Sequence, residues 1–201
     1  MELVKIFEAD GPIILTQPHG GTFLPRGFLK FYNKIGLSMG DTDWHINKLF
    51  DGLLNSATVI QALFSRYLID ANRDPSGKSL YPKQNSTELC PTKNFLGQSI
   101  YKIGMHPDED EIKNRLINFH SVYHKAILQQ IERIKEKHGI VLLFDCHSIK
   151  SYLPYLFDGR LPDLNFGTNN GITCDPKIEK ITMEFCSKLS GYEYVLNGRF
   201  K

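Results

Sequence analysis

The stretch VLLFDCHSIKS, residues 141–151, joins four apolar residues directly to a carboxylate, a thiol, an imidazole and a hydroxyl. A short apolar run bounded by polar residues is typical of a buried strand, so we expect a strand over residues 140–144. Side chains alternate along a strand, which places Asp145 and His147 on one side and Cys146 on the other. In open α/β sheets ligands bind beyond the carboxyl ends of the strands, and these polar residues stand at such an end.

A second apolar run has the same design. Residues 12–16 (PIILT) predict a strand, and residues 17–21 (QPHGG) predict a loop that carries His19. Two histidines that each follow a strand could converge on one divalent metal ion, because imidazole is a common ligand of zinc and similar ions. The alternative is that each histidine only forms a hydrogen bond within its own turn.

Carboxylates are available to complete such a site. Catalytic zinc sites add a carboxylate to their histidines and leave one position open for water, and Asp41 or Asp43 in GDTDWH would supply it. The alternative is that these aspartates cap the helix expected over residues 41–54. Asp145 is expected to orient His147 by accepting a hydrogen bond, and Cys146 to fill a small space in the core.

Basic residues predict a binding site for an acidic molecule. Arg66, Asn72 and Arg73 flank a short apolar stretch, and guanidinium groups bind carboxylates in bidentate fashion. Arg160 is a further candidate for this role. The alternative is a surface ion pair with a nearby aspartate, Asp70 or Asp74.

His120 and His124 stand four residues apart on a predicted helix, the spacing of a helical metal pair. The residues between them do not form an HExxH motif. A packing or capping role is therefore predicted for both.

The rest of the chain predicts an α/β fold. We expect strands over residues 57–63 and 67–69, a long ordered loop over 74–106, a helix over 107–137 closed by Gly139, a helix over 179–189 and a strand over 192–196. Strands that alternate with helices predict a central mixed, mostly parallel sheet in a three-layer αβα arrangement. The length of 201 residues indicates a single domain over residues 1–201.

Composition excludes several classes of protein. The net charge is +2 with both signs interspersed, so we expect no nucleic-acid partner. No run approaches the about 18 apolar residues that a membrane-spanning helix needs, and the first residues lack the apolar core of a signal peptide. Four scattered cysteines without a CxxC pair favour reduced thiols. These features predict a cytoplasmic protein that binds no membrane.

Several long blocks resemble the N-formylglutamate amidohydrolase (deformylase) family over essentially the whole chain. They are QPHGGTFLP, DTDWHINKLFD, SRYLIDANRDPSGKSLYP, TELCPTKNF, FDCHSIKSYLPYLFDGRLPDLNFGTNNGITCDP and YVLNGRFK. The resemblance implies hydrolysis of N-formyl-L-glutamate to L-glutamate and formate, the last step of one bacterial route of histidine breakdown. It also implies a small acidic N-acyl amino acid as the partner of the site.

That family is distantly similar to the zinc carboxypeptidase, aspartoacylase and succinylglutamate desuccinylase group, which implies a phosphorylase/hydrolase-like, zinc-exopeptidase-like fold. By this resemblance His19 and His147 bind a divalent metal, expected to be zinc. The same resemblance assigns the grip on the substrate carboxylate to Arg66, Asn72 and Arg73.

The chain departs from the distant relatives at two points. They place a glutamate three residues after the first histidine, where this chain has Thr22, so Asp41 or Asp43 is expected to replace that ligand. Their catalytic glutamate lies late in the chain, so we expect the main general base beyond Lys201 and the domain to lack its C-terminal part.

Two alternatives stay open at this point. An amidase for another N-acyl amino acid would share every motif described above. A binding protein that holds an acidic amino acid without hydrolysing it would also fit a chain without the general base.

Overall fold

The computed structural model describes residues 2–78 and 87–201. The chain forms two compact units, Met1–Ile149 and Lys150–Lys201. The strands of the first unit are β1 (Val4–Phe7), β2 (Ile13–Gln17), β3 (Thr58–Ala62) and β4 (Leu142–Asp145). Its helices are α1 (Arg26–Leu29), α2 (Lys34–Ser38), α3 (Ile46–Leu49), α4 (Glu109–Arg115) and α5 (Ser121–His138), with a π-helical turn (Leu116–His120) between the last two.

The four strands form one sheet in the order β1-β3-β2-β4. β1 is antiparallel to β3, whereas β2 lies between β3 and β4 and is parallel to both. The predicted α/β fold with a mixed, mostly parallel sheet is confirmed. The carboxyl ends of β2, β3 and β4 therefore lie at the same end of the sheet, where the segments that follow each strand meet.

The core lies on both faces of this sheet. On one face, α5 packs over the sheet, and its buried Ile134 belongs to the same hydrophobic cluster as Ile14 of β2 and Ile60 of β3. On the other face, a smaller cluster joins Leu15 to residues from α3 and to the segments that border β3 and β4, namely Ile46, Ala57 and Cys146. Cys146 is only 1% exposed, as expected for a core residue.

The long predicted helix is present but interrupted. Asp108 caps α4 by accepting a hydrogen bond from the backbone N–H of Glu111 at 2.8 Å. The backbone N–H of Ser121 bonds to the carbonyl of Leu116, which is the wider spacing of a π-helix. Gly139 closes α5 with a φ of 72°, as predicted. The sequence pattern gave no indication of the π-helical turn.

The helix predicted over residues 41–54 is wrong in its extent, because only Ile46–Leu49 is helical. Its N-cap is His45, in the left-handed conformation with a φ of 67°, rather than Asp41 or a neighbour. The two aspartates of this segment bond to distant backbone N–H groups instead. Their capacity as acceptors is used in tertiary contacts and not for capping.

The strand predicted over residues 67–69 is also wrong. Residues 65–71 are all buried, yet this segment pairs with no strand of the sheet. Side chains satisfy its backbone carbonyls: the hydroxyl of Tyr32 donates to the carbonyl of Tyr67 at 2.8 Å, and Arg115 Nη1 donates to that of Leu68 at 2.9 Å. A buried segment without such partners would leave costly unpaired carbonyls.

β4 lies at the edge of the sheet, so the apolar run over residues 140–144 is less buried than expected. Leu143 and Phe144 are 39% and 40% exposed. Within the described parts of the predicted loop over 74–106, residues 74–78 and 87–106 contain no helix or strand element. Residues 79–86 of that loop lie outside the described residues.

The second unit contains β5 (Leu164–Phe166), α6 (Pro176–Cys186) and β6 (Tyr194–Leu196). β5 and β6 form a parallel two-stranded sheet. Asp175 caps α6 and Pro176 occupies its first turn, so this helix begins and ends three residues before the predicted 179–189. In the described ranges, no helix combines the length and the apolar character that crossing a bilayer requires.

Candidate metal centre

The register of the sheet brings His19 and His147 together. Thr16 of β2 pairs with Asp145 of β4, and the two histidines follow these paired residues by three and two positions. Their Nδ1 atoms lie 3.2 Å apart. His19 is 4% exposed and the side chain of His147 is 34% exposed, so the pair lies at the edge between core and solvent.

The loop after β2 passes close to the end of β3. A Cβ on Gly21 would lie 2.3 Å from the carbonyl carbon of Leu63, a distance that no side chain tolerates. Only glycine permits this approach, which sets the path of the loop that carries His19.

Asp43 supplies a third group to the pair. Its backbone N–H donates to the carbonyl of His19 at 3.0 Å, and its Oδ2 accepts the backbone N–H of Ser148 at 3.0 Å. These bonds tie Asp43 to both strand ends. Its Oδ2 lies 3.2 Å from His147 Nδ1 and 3.9 Å from His19 Nδ1. The three potential ligand atoms all lie within 4.8 Å of one another.

The outer nitrogen of each imidazole is held by a carboxylate. His19 Nε2 donates to Asp70 Oδ1 at 2.7 Å, and His147 Nε2 donates to Asp145 Oδ2 at 2.8 Å. Because an ionised carboxylate only accepts hydrogen bonds, both Nε2 atoms carry a hydrogen. In neutral rings the Nδ1 lone pairs then face each other, an arrangement that requires a cation or a proton between them. Carboxylate, imidazole and metal in this order are usual at metal sites.

The surrounding charges favour a positive charge between the Nδ1 atoms of His19 and His147. Burial lowers the pKa of His19, and the nearby guanidinium of Arg66 lowers it further. Burial acts on His147 in the same direction, but Asp145 and Asp43 outweigh it and raise the pKa of His147 to about 10. Without a metal, His147 therefore holds a proton on Nδ1 that it donates towards Asp43. A metal ion would replace this proton.

The charges of the cluster match a divalent cation. Three carboxylates, Asp43, Asp70 and Asp145, contact the two imidazoles, and the guanidinium of Arg66 forms ion pairs with the first two. With both imidazoles neutral, these carboxylates carry more negative charge than this guanidinium compensates. Two imidazoles and one carboxylate are also a ligand set of catalytic zinc sites, in which the fourth position binds water. The residues present therefore fit a divalent metal.

Asp70 links the metal site to the segment that follows β3. This fully buried carboxylate accepts hydrogen bonds from His19 Nε2, from the backbone N–H of Asn72 at 2.9 Å and from Arg66 Nη2 at 2.7 Å. Burial alone would raise the pKa of Asp70, but His19 and Arg66 hold it well below its usual value. Asp70 therefore stays ionised and keeps His19 in one orientation.

Arg66 is enclosed by protein groups. It is 5% exposed and stacks on the ring of Phe95 at 4.6 Å. Besides its bond to Asp70, its Nη1 donates to the carbonyl of Asp41 at 3.4 Å and lies 3.7 Å from Asp43 Oδ1. In this position Arg66 holds two aspartates of the cluster in place.

Asn72 and Arg73 lie closer to solvent than Arg66. The side-chain amide of Asn72 is exposed and lies 3.0 Å from His147 Nε2. Arg73 is half-buried, and Thr87 positions its guanidinium through the carbonyl at 3.0 Å and the hydroxyl at 2.9 Å. Asn72 thus places this segment directly beside a candidate metal ligand.

Asp41 and Arg160 were also predicted as site residues, and the side chains of both have other partners. Asp41 Oδ2 accepts the backbone N–H of Phe95 at 2.8 Å, and Asp41 does not belong to the cluster of three ligand atoms. Arg160 belongs to the unit Lys150–Lys201, where it pairs with Asp163 at 3.1 Å.

Two residues of the cluster were missed by the sequence interpretation. Asp70 was considered only as a partner in a surface ion pair, whereas its pair with Arg66 is buried. A lone carboxylate within the apolar stretch YLIDA was the available signal. Thr16 donates to Asp145 Oδ1 at 2.6 Å, and nothing in the sequence distinguished it from other strand residues.

Cys146 does not have the properties of a nucleophile. Burial raises the pKa of its thiol to about 12, so the reactive thiolate is absent near neutral pH. The groups at the carboxyl ends of the strands that can take part in a reaction are therefore the histidines and aspartates of the cluster, not the thiol of Cys146.

Comparison with known proteins gives a consistent family. The family described as N-formylglutamate amidohydrolase matches residues 11–201. The chain is 39% identical to an N-formylglutamate deformylase of Pseudomonas putida over 191 residues, which is 94% of this chain and 71% of the relative. It is 40% identical to an N-formylglutamate deformylase of Pseudomonas aeruginosa over 201 residues, which is 100% of this chain and 75% of the relative.

Solved structures share the fold. A crystal structure of N-formylglutamate amidohydrolase from Ralstonia eutropha JMP134 is similar with a TM-score of 0.75 at 23% identity, covering 96% of this chain and 76% of that one. A protein from Agrobacterium tumefaciens is similar with a TM-score of 0.73 at 19% identity, covering 100% of this chain and 75% of that one. At these identities the likeness concerns the fold alone.

We expect substitution of Asp43 to weaken metal binding strongly and substitution of Asp41 to leave it almost unchanged. Asp43→Asn removes a charged ligand atom, so we expect zinc affinity, measured by competition with a chromogenic chelator, to fall at least about 100-fold. Asp41→Asn keeps the cluster intact and is expected to change the affinity less than about threefold. Equal losses in both variants, or a larger loss in Asp41→Asn, would contradict the assignment of Asp43.

Proposed function

The chain belongs to the N-formylglutamate amidohydrolase family and is a hydrolase of an amide bond, and we propose that it uses a divalent metal to hydrolyse N-formyl-L-glutamate. Water adds to the formyl carbon, the carbon–nitrogen bond breaks, and the products are formate and L-glutamate. The observation that carries the metal dependence is the pair of facing Nδ1 atoms of His19 and His147, 3.2 Å apart beside Asp43.

His19, Asp43 and His147 are the residues that would hold the metal, which we propose to be zinc. A zinc ion held there would supply a Lewis acid for the formyl oxygen and would lower the pKa of a water molecule towards about 7.

Two carboxylates fix the ligand geometry. Asp70 holds His19 through Nε2 and Asp145 holds His147 in the same way, so that both Nδ1 atoms point inward. Thr16 in turn fixes Asp145. Asp145 is therefore proposed to orient a ligand rather than to transfer a proton. Mutation of an acceptor in this position typically lowers metal affinity or activity by about 10- to 100-fold.

Asn72 and Arg73 are proposed to bind the carboxylates of the substrate. Both lie nearer to solvent than His19 and Asp43, and a guanidinium recognises a carboxylate through two parallel hydrogen bonds. Arg66 was expected to share this role, but it is buried, and its Nη atoms are engaged by Asp70 and by the carbonyl of Asp41. We propose that Arg66 acts indirectly, by keeping Asp43 and Asp70 in place, and that the carboxylate clamp consists of Asn72 and Arg73.

Release of glutamate and formate would place the chain at the last step of a route of histidine breakdown. The mixed sheet with ligands at its carboxyl edge supports a relationship with the zinc exopeptidases.

The proposal predicts metal-dependent release of formate. Dialysis of the purified chain against a chelator should abolish formate release from N-formyl-L-glutamate, and addition of one equivalent of zinc should restore it. Formate is measured with a coupled formate dehydrogenase assay. A matched control uses chelated protein restored with magnesium, which the two-imidazole site binds poorly.

Substrate choice separates this proposal from its alternatives. N-formyl-, N-acetyl- and N-succinyl-L-glutamate are compared by kcat/KM, and the formyl substrate is expected to be preferred. Preference for another acyl group would indicate a related amidase. Binding of N-formyl-L-glutamate in calorimetry with no release of formate in the zinc-loaded protein would indicate a binding protein instead.

The clamp predicts a selective kinetic effect. Arg73→Ala removes a charged hydrogen-bond donor worth about 1.5–3 kcal/mol, so KM for N-formyl-L-glutamate should rise roughly 10- to 100-fold while zinc content is unchanged. The control is Arg133→Ala, since Arg133 bonds to Ala9 and Thr58 near the amino ends of the strands. An unchanged KM in Arg73→Ala would refute the clamp.

A further inference from the structure

The segment that carries Asn72 and Arg73 is held from one side by two histidines. His124 Nε2 donates to the carbonyl of Ala71 at 2.9 Å, and His120 Nε2 donates to the carbonyl of Arg73 at 3.0 Å. These two carbonyls flank Asn72. A carbonyl only accepts, so both rings carry their hydrogen on Nε2.

The two rings also hold each other. They stack with centroids 4.2 Å apart and an angle of 27° between their planes. His120 is 4% exposed, and burial lowers its pKa, which keeps this ring neutral. The stacked pair presents both Nε2–H groups in fixed positions.

The backbone is adapted to this contact. His120 is the last residue of the π-helical turn, and His124 follows one turn later in α5. π-helical turns are rare and occur frequently at functional sites. The additional residue of a π-helical turn shifts the residues that follow it around the helix axis, and His124 is among them.

We propose that His120 and His124 are positioning residues that fix Asn72 and Arg73 beside the metal site by holding the carbonyls on either side of Asn72. The inference rests on the proposed function, because it assigns a purpose to the contact only if these two side chains meet the substrate. It differs from the packing or capping role expected from the sequence, since the acceptors belong to the site segment and not to the helix.

The contact is suited to this purpose because Asn72 lies directly beside a ligand. Its side-chain amide is 3.0 Å from His147 Nε2, and its backbone N–H is fixed by Asp70. The segment is thus fixed by Asp70 on the metal side and by the histidines on the helix side. Displacement of a substrate-binding group by about 1 Å can cost on the order of 100-fold in rate.

Two kinds of variant separate donation from packing. His120→Phe and His124→Phe keep an aromatic ring for stacking and remove the donor. His120→Gln and His124→Gln keep an N–H near the position of Nε2 without an imidazole. The control is His138→Phe, because His138 Nε2 also donates to a backbone carbonyl, that of Asp10 at 2.6 Å, from the far end of α5.

The phenylalanine variants should raise KM for N-formyl-L-glutamate at least about tenfold, with zinc content unchanged and kcat reduced less than KM is raised. The glutamine variants should recover most of this loss. The control should keep the wild-type KM. Hydrogen exchange of the backbone amides of residues 71–73 should be faster in the phenylalanine variants only.

Two results would overturn the inference: wild-type KM and exchange in both phenylalanine variants, or glutamine variants no better than the phenylalanine ones. Failure of the proposed function has a different signature, namely absence of formate release from the zinc-loaded wild-type chain. In that case the exchange rates of residues 71–73 still decide whether the histidines hold the segment.

Discussion

The site depends on the hydrogen bonds that the buried carboxylate of Asp70 accepts. This carboxylate is fully buried and accepts hydrogen bonds from His19, Arg66 and the backbone of Asn72. An isolated carboxylate in such a place would cost several kcal/mol of desolvation, so its partners cannot move independently. One side chain thereby fixes a metal ligand, a guanidinium and the start of the substrate-binding segment.

The same need for compensation explains the rest of the cluster. The Nε2 atoms of His19 and His147 are held by carboxylates, so their Nδ1 lone pairs face each other and Asp43. The metal-free protein relieves this repulsion with a proton on His147, whose pKa is raised to about 10. A divalent cation would accept the lone pairs of both imidazoles and of the carboxylate at once. Removal of the repulsion between these groups would favour metal binding.

Much of the site followed from the positions of strand ends in the sequence. Apolar runs that stop at His19 and at Asp145 predicted parallel neighbours with histidines at one edge, because parallel strands share the direction of their carboxyl ends. Asp43 and Asp41 could not be told apart, since both stand in the first turn of the helix predicted over residues 41–54. Only the fold shows that one of them meets Ser148 and the other meets Phe95.

Sequence reasoning failed where tertiary contacts replaced local preferences. Residues 67–69 are as apolar as a strand, yet they run outside the sheet because Tyr32 and Arg115 satisfy their carbonyls. The π-helical turn and the contacts of His120 and His124 were likewise invisible to periodicity. Side-chain hydrogen bonds to distant backbone groups have no signature in a single sequence.

The central claim is that His19, Asp43 and His147 bind one divalent ion through inward-facing atoms. Anomalous diffraction at the zinc edge, from crystals of the chain grown with zinc, tests it directly. The account predicts one peak about 2.0–2.2 Å from His19 Nδ1, Asp43 Oδ2 and His147 Nδ1. A zinc ion bound elsewhere, or bound through Nε2 of either histidine, would contradict it.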